Sequence, residues 1–544
     1  MKVSQLPSDV LYLIFDEVIH SGPKELLAPE AQTSIVLGQV CKSFRGALDE
    51  YAILSTHIEA EPSAYSTDNM HYLNDMETAD NNQTMNNFER RVNLANIHLD
   101  RTRDAVITVI LKRSHGAVPS SGDTYRFLTE SQLWERRKQW KRLELSFCDI
   151  SHDNSKVDLN LNELFAKEKE FSQLETIVLD IYSDSSKPWL GMAAQLTKAA
   201  KAEGSQFKRL SLSLEDSKVT SYRNITKQEP DWAPLTHVSL SGAAFSSWTL
   251  LDTTRLLCSA SKLQWASFPH RGVLPDDVEA HAFPLLAIES NSLEYLEMEV
   301  PVDDPRTIPF FTKLKAPRLE YARLTYTKAD AVVLNDLAAA NFNAALFASL
   351  SHFGVALKVL ELDFEGRDLV GHGNMSLVTF NTLLAISSMT PGLIELRITK
   401  NKYTPRRRGQ LRVSNETMST ITGSQFLEAL TPKDGTPVVN WTLLQFLHWD
   451  YHCTEELSDT ALYEFIRRRA LSDQTAALKE VGFRIYNREG TSSSSNGVPT
   501  DILSSGTKLD IRYGDKEYGD PEFTTGKVAR YDFLDNSLHV PSLL

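Results

Sequence analysis

The sequence predicts an α/β protein with a small all-helical N-terminal head and then a curved solenoid, parallel sheet inside and helices outside. Three observations carry this expectation. An apolar hexad recurs eleven times between residues 140 and 483, helical patterns fill the intervals, and two short apolar helical patterns precede them within the first 50 residues.

The hexads have the form apolar-x-x-apolar-x-apolar. They are WKRLEL (140–145), LETIVL (174–179), FKRLSL (207–212), LTHVSL (235–240), LQWASF (263–268) and LEYLEM (293–298), then LEYARL (319–324), LKVLEL (357–362), LIELRI (393–398), LQFLHW (444–449) and LKEVGF (478–483). Successive starts lie 26 to 51 residues apart, and a degenerate last copy ends in Lys508, Leu509, Asp510 and Ile511. Each hexad reads as a short strand whose alternate residues face a core. Helical patterns occupy 159–171, 190–202, 248–260, 329–350, 377–388 and 458–471. Strand and helix alternating at this spacing stack the strands into one parallel layer. An ordinary α/β domain is the competing reading, and it requires fewer strands and less regular hexads.

The head begins with SDVLYLIFDEVIH (8–20), in which Asp9, Tyr12, Asp16 and His20 form one narrow polar stripe at helical spacing. The rest of that helix is apolar, more than one neighbour can cover. A second pattern runs through Leu37, Val40, Cys41, Phe44 and Leu48 at steps of three and four. Two short helices bury too little to hide this surface, so a partner or the following domain must cover it.

Leu6-Pro7, Val10-Leu11 and Ile14, followed by Val40-Cys41-Lys42 and Phe44-Arg45, resemble the F-box, a helical module that docks on a Skp-family adaptor. The resemblance spans about the first 50 residues. It implies that Leu6, Pro7, Val10, Leu11, Ile14, Phe15, Val18, Leu37, Val40, Cys41 and Phe44 contact the adaptor. The chain departs from the pattern in an insertion at 21–33 and in Phe44, where many members carry Trp. The array at 140–515 resembles the leucine-rich repeats of F-box proteins, without the Asn that usually follows the strand and with longer repeats. Together the resemblances imply a substrate-recognition subunit of a cullin-based (SCF-type) ubiquitin ligase. Its head would bind a Skp-family adaptor, and through it a cullin, and its repeats a target protein. It would form no covalent intermediate and take no cofactor. The alternative is a leucine-rich-repeat interaction scaffold without a ligase role, in which the head merely caps the array.

Composition narrows the alternatives. The chain carries 57 Lys and Arg against 71 Asp and Glu, a net charge of −14, which argues against nucleic acid as a partner. Cys41, Cys148, Cys258 and Cys453 are widely spaced and form no C-x-x-C pair, so a disulfide framework is not expected and a reducing compartment is. With no secretory apolar region and no stretch of 18 apolar residues, the expectation is a cytoplasmic or nuclear protein without a membrane partner. The expected organisation is the head at 1–50, a connecting segment at 51–139 and the array at 140–515, then a tail or cap at 516–544. The connecting segment would hold a polar mobile loop (61–87) and an N-terminal repeat cap.

Candidate chemistry is sparse. His448, His452 and Cys453 are zinc-ligand types, but LQFLHW reads as a strand and no second cluster completes a site. There is no P-loop, G-x-S-x-G or H-E-x-x-H, so no catalytic residue and no metal ligand is assigned. Arg406, Arg407 and Arg408, with Lys400, Lys402 and Arg412, form a dense basic run that reads as a solvated loop, a nuclear-import signal or a grip on a partner's phosphate or carboxylate. Arg467, Arg468 and Arg469 fit a helix C-terminus.

The repeat geometry gives a more specific expectation. If the fourth and sixth hexad residues point inward, the fifth and seventh line the concave face. The later copies then present Glu297 and Glu299, Arg323 and Thr325, Glu361 and Asp363, Arg397 and Thr399, His448 and Asp450, and Gly482 and Arg484. The early copies present small or neutral groups, among them Ser211, Ser213, Ser239 and Ser241. The alternation of acid and base is either cross-strand charge pairing or a partner surface. On the second reading target binding falls to Arg323, Glu361, Asp363, Arg397, His448, Asp450 and Arg484, with Arg406, Arg407 and Arg408 alongside, and the ligand is an acidic peptide.

Overall fold

The computed structural model describes residues 57–60, 80–102, 105–111, 121–149, 164–165, 171–183, 192–196, 198, 206–216, 232–242, 245, 248–269, 287–301, 304, 306–327, 336–364, 380–400, 427, 430–431, 441–450, 459–473, 475–486, 507–514, 530–532 and 537–539. The whole F-box-like head, with every candidate adaptor contact from Leu6 to Phe44, lies outside these residues, as do Arg406, Arg407 and Arg408. The chain divides into two compact units, Met1–Ser246 and Ser247–Leu544.

In the first unit six strands pair side by side in chain order: β1 (His57–Ala60), β2 (Ile107–Leu111), β3 (Trp140–Asp149), β4 (Thr176–Ser183), β5 (Arg209–Asp216) and β6 (His237–Ser241). Every pairing is parallel. Helices α1 (Asp80–Thr102) and α2 (Ser121–Glu130) separate β1, β2 and β3. The ladder therefore starts two strands before the first hexad, inside the 51–139 segment for which a connection with an N-terminal repeat cap is the expectation. Of the polar stretch 61–87, residues 80–87 are the first turns of α1, and 61–79 lie outside the described residues. Phe88, Val92, Ala95 and Leu99 of α1 are buried at helical spacing, and Phe88 meets Phe127 of α2 edge-on at 6.2 Å.

The second unit continues the pattern with β7 (Trp265–Phe268), β8 (Ile288–Glu289), β9 (Tyr295–Pro301), β10 (Leu314–Lys315), β11 (Tyr321–Thr327) and β12 (Val359–Phe364). It ends with β13 (Glu395–Lys400), β14 (Phe446–Asp450), β15 (Glu480–Tyr486), β16 (Lys508–Gly514), β17 (Arg530–Asp532) and β18 (Ser537–His539). Strands β7, β9 and β11 to β16 form its parallel ladder in that order. The two-residue strands β8 and β10 pair with each other, and β17 with β18 make an antiparallel hairpin in the C-terminal tail. Helices α3 (Leu250–Ser259), α4 (Thr307–Lys313), α5 (Asp336–Phe353), α6 (Phe380–Met389) and α7 (Asp459–Leu471) lie between the ladder strands. All eleven hexads, and the degenerate last copy, are strands of the two ladders.

The hexad explains how each strand begins. Its first residue is a leucine in most copies, and Leu174, Leu235, Leu263, Leu293, Leu319, Leu357, Leu393 and Leu444 are all fully buried. Each of these leucines donates its N–H to the carbonyl three residues earlier, closing a tight turn that leads into the strand. The carbonyl of the second residue then accepts N–H bonds from the next copy: Glu294 O from Glu320 and Tyr321, Glu320 O from Lys358 and Val359, Lys358 O from Ile394 and Glu395. Those six bonds are 2.8 to 3.0 Å long. The register of each repeat is thus set at its entry, before any side chain of the ladder is considered. The fourth and sixth residues face the core, as in Leu296 and Met298, Ala322 and Leu324, Leu360 and Leu362, and Leu396 and Ile398, all at most 1% exposed. Burying a leucine at such a position stabilises the fold by about 1.5–3 kcal/mol.

The helices are tied by local chemistry. Thr249 and Asp252 form a capping box at the start of α3, with Asp252 Oδ2 accepting the Thr249 N–H at 2.9 Å. Asp304 binds the Arg306 guanidinium through both oxygens, each at 2.8 Å, just ahead of α4. Gly354 ends α5 where a Cβ would lie 2.5 Å from the Met389 carbonyl oxygen at the end of α6, so only glycine permits this approach.

Candidate interaction face

The third, fifth and seventh hexad residues share the sheet face away from the buried fourth and sixth. Parallel in-register pairing collects them into straight rows. In the second unit the fifth-position row reads Ser267, Glu297, Arg323, Glu361, Arg397, His448 and Gly482, each directly opposite the next. The seventh-position row carries Glu299, Thr325, Asp363, Thr399 and Asp450 in the same way. In the first unit Glu144, Val178, Ser211 and Ser239 align, as do Ser146, Asp180, Ser213 and Ser241. Asp180 accepts a hydrogen bond from the Ser146 hydroxyl at 3.2 Å.

The third-position row is aromatic across three repeats of the second unit. Trp265 and Tyr295 stack at 4.8 Å and 12°, and Tyr295 and Tyr321 at 4.3 Å and 11°, close to the strand spacing itself. With Val359 these rings form a buried cluster on the face opposite the main core. This row was the part of the face that counting fifth and seventh positions passes over. Its signal is visible in LQWASF, LEYLEM and LEYARL, whose third residues are all aromatic.

Beside the rings lies an ion network centred on Arg323. Its Nη1 donates to Glu297 at 3.0 Å, and its Nε and Nη2 lie 3.5 Å from Glu361 and Asp363. Tyr321 Oη donates to Glu361 at 2.9 Å, and Tyr295 Oη to Glu297 at 3.3 Å. One strand further, Arg397 is paired with Glu395. Exposure grades across the network: the Arg323 and Glu297 side chains are 35% and 29% exposed, those of Glu361 and Asp363 only 10% and 4%. The two outermost groups are therefore the ones an arriving ligand meets.

Four titrating groups report the local field. Burial pushes the Tyr295 and Tyr321 hydroxyls well above the ordinary phenol range, and Glu361 and Glu297 push the same way. Burial raises the Glu395 carboxyl, against the opposing pull of Arg397 and with further pushes from Glu361 and Glu480. Arg323 discriminates between burial and charge. Burial lowers its guanidinium, yet Glu361, Glu297, Tyr321 and Asp363 outweigh that and carry it upward. The carboxylates around Arg323 thus favour its charge by more than burial disfavours it.

The structure thus brings Arg323, Glu361, Asp363, Arg397 and His448 together on one face, as the repeat spacing implies, places the backbone of Asp450 in the seventh-position row, and sets that of Arg484 opposite Arg512 of β16. It alters the role expected of the arginines, since Arg323 and Arg397 are answered by carboxylates of their own face. His448 packs over Gly482, where a Cβ would lie 2.8 Å from its Nδ1. Arg469 also differs from expectation. It is fully buried beneath α7, and its Nη2 donates to the carbonyls of Trp441 and Leu444 at 3.0 and 3.2 Å, while Arg467 and Arg468 pair with Glu464. Among the described residues no group of three or more His, Cys, Asp and Glu side chains is placed to hold a metal ion. Among them, too, no helix is long and apolar enough to cross a membrane.

No family model matches the chain, and no curated protein matches it. Among solved structures it is similar to a Bacteroides fragilis protein, at 13% identity and a TM-score of 0.29, over 57% of this chain and 67% of that one. It is also similar to the complex of Rad7 and Elc1 from yeast, at 12% identity and a TM-score of 0.32, over 93% and 98%. At these TM-scores neither likeness speaks to function.

Proposed function

We propose that the protein is a non-enzymatic recognition subunit of a cullin-based ubiquitin ligase, which holds a target on the ladder face and reaches the ligase through its head. The unbroken register of the fifth-position row, from Ser267 to Gly482, carries the recognition half of this reading. The row's partly exposed members, Ser267, Glu297 and Arg323, are fixed by backbone pairing and need no ordering on binding, the property that repeat proteins use to bind other proteins. The ligase half rests on the resemblance of residues 6–45 to the F-box. In this role the chain acts by proximity: it raises the effective concentration of a target lysine near a separately bound conjugating enzyme.

The test is a pull-down of the Skp-family adaptor with Val10→Asp and Leu11→Asp combined. Adaptor binding should be abolished while the circular dichroism of the ladders is unchanged. An unchanged pull-down would remove the ligase half and leave a repeat scaffold.

A further inference from the structure

We propose that the face of β9, β11 and β12 takes a basic, extended segment of a partner protein, a Lys or Arg side chain seated against Glu297 and drawn by the carboxylates behind it. The proposal rests on the reading of this face as the target-binding surface and names the chemistry of the target. It reverses the expectation of an acidic peptide.

The reason is the charge count at the network. Among the described residues, Glu297 and Glu361 both pair with the guanidinium of Arg323, which Asp363 also engages. Arg397 adds no balance there, because it is closed off with Glu395. An acidic ligand would have to compete for Arg323 against three carboxylates already in place, two of them buried and so weakly screened by salt. A cationic side chain meets the opposite situation. Glu297 is reachable at 29% exposure, and the field of the buried carboxylates reaches the surface through a low-dielectric wall. The geometry also suits an extended chain. Neighbouring strands lie about 4.8 Å apart, so residues two apart on a segment crossing the ladder, about 6.8 Å, span one to two repeats.

The experiment uses the full chain and two fluorescein-labelled ten-residue probes, alternating Lys-Gly and alternating Glu-Gly, read by anisotropy at roughly 0.1 M salt. The basic probe should bind at least about ten-fold more tightly than the acidic one. Glu297→Gln should weaken the basic probe about three-fold or more. Glu89→Gln, which removes the same charge from the exposed surface of α1, should change it by less than about 1.5-fold. Arg323 keeps Glu361 and Asp363 in the first variant, so the fold is retained; if its melt shows otherwise, Glu361→Gln replaces it with the same expectation. Equal binding of the two probes overturns the proposal. So does an equal loss in Glu297→Gln and Glu89→Gln, which would mean that only the protein's overall negative charge is felt. The adaptor plays no part in this measurement, so its outcome and that of the pull-down are independent.

Discussion

Replacing Arg323 by methionine tests the ion network most directly. The substitution keeps an unbranched apolar stem and deletes the charge and its donors, so Glu297, Glu361 and Asp363 lose the guanidinium they share. Breaking a fully buried ion pair costs about 3–5 kcal/mol, because a charge is left uncompensated, whereas an exposed pair is worth less than about 1 kcal/mol. Arg323 lies between these limits: its side chain is 35% exposed, but Glu361 and Asp363 are almost covered. Discounted for solvent screening, the expected loss is about 1–3 kcal/mol. Removing an acid instead should be far milder. Glu361→Gln leaves Arg323 with Glu297 and Asp363, and the new amide oxygen can still accept from Tyr321 Oη, so the loss stays below about 1 kcal/mol. Urea unfolding at pH 7 followed by tryptophan fluorescence measures both losses. A loss in Glu361→Gln as large as in Arg323→Met would refute the shared-cation account.

Two further outcomes follow from single contacts. Gly482→Ala brings a Cβ to 2.8 Å from His448 Nδ1 and should cost about 1–3 kcal/mol, falling below about 0.5 kcal/mol in a His448→Ala background; equal costs in both would refute the packing of His448 over Gly482. Arg469 is held down to about 10 by burial alone, so its charge opposes folding at neutral pH, and the wild type should gain on Arg469→Met as pH rises through that value. Against this stands the loss of two hydrogen bonds to the Trp441 and Leu444 carbonyls, so the pH 7 difference should stay within about 1 kcal/mol, and a loss above about 3 kcal/mol would contradict a guanidinium held only by carbonyls among the described residues.

The ladder was legible in the sequence because the hexad records two separate requirements at once. Its first leucine closes the entry turn, and its fourth and sixth residues fill the core, so the apolar pattern is constant even where repeat length runs from 26 to 51 residues. The strands β1 and β2 escaped because neither has a hexad, and ITVIL is covered on both faces, with Ile107, Val109, Ile110 and Leu111 all buried and no alternation to read. Helix α1 escaped for a different reason. Its first eight residues, DNNQTMNN, are almost entirely polar, and its apolar stripe starts only at Phe88. Arg469 was misread because a run of three arginines looks uniform, whereas helical phase separates them. Leu462, Phe465, Ile466 and Arg469 fall on one buried stripe, with Arg467 and Arg468 off it.

The ion network was only half legible, and the missing half is the pairing itself. Sequence spacing puts Arg323 in the same row as Glu297 and Glu361, but it is silent on whether the side chains reach for each other or for solvent. The entry bonds decide this. With the second-residue carbonyl of most repeats, Gln264, Glu294, Glu320, Lys358, Ile394 and Gln445 among them, accepting two N–H groups from the next, a slip of one residue would turn the charged row into the core. The rows are therefore held opposite each other at strand spacing, where a guanidinium spans to both neighbours and pairs with them before any partner arrives. What such a face can offer a ligand is then the remainder after internal pairing. On the proposed reading that remainder is negative, because among the described residues two repeats bring Glu297, Glu361 and Asp363 to one arginine. A partner that recognises it needs positive charge at intervals matched to the strands, and little rearrangement of the face to bind.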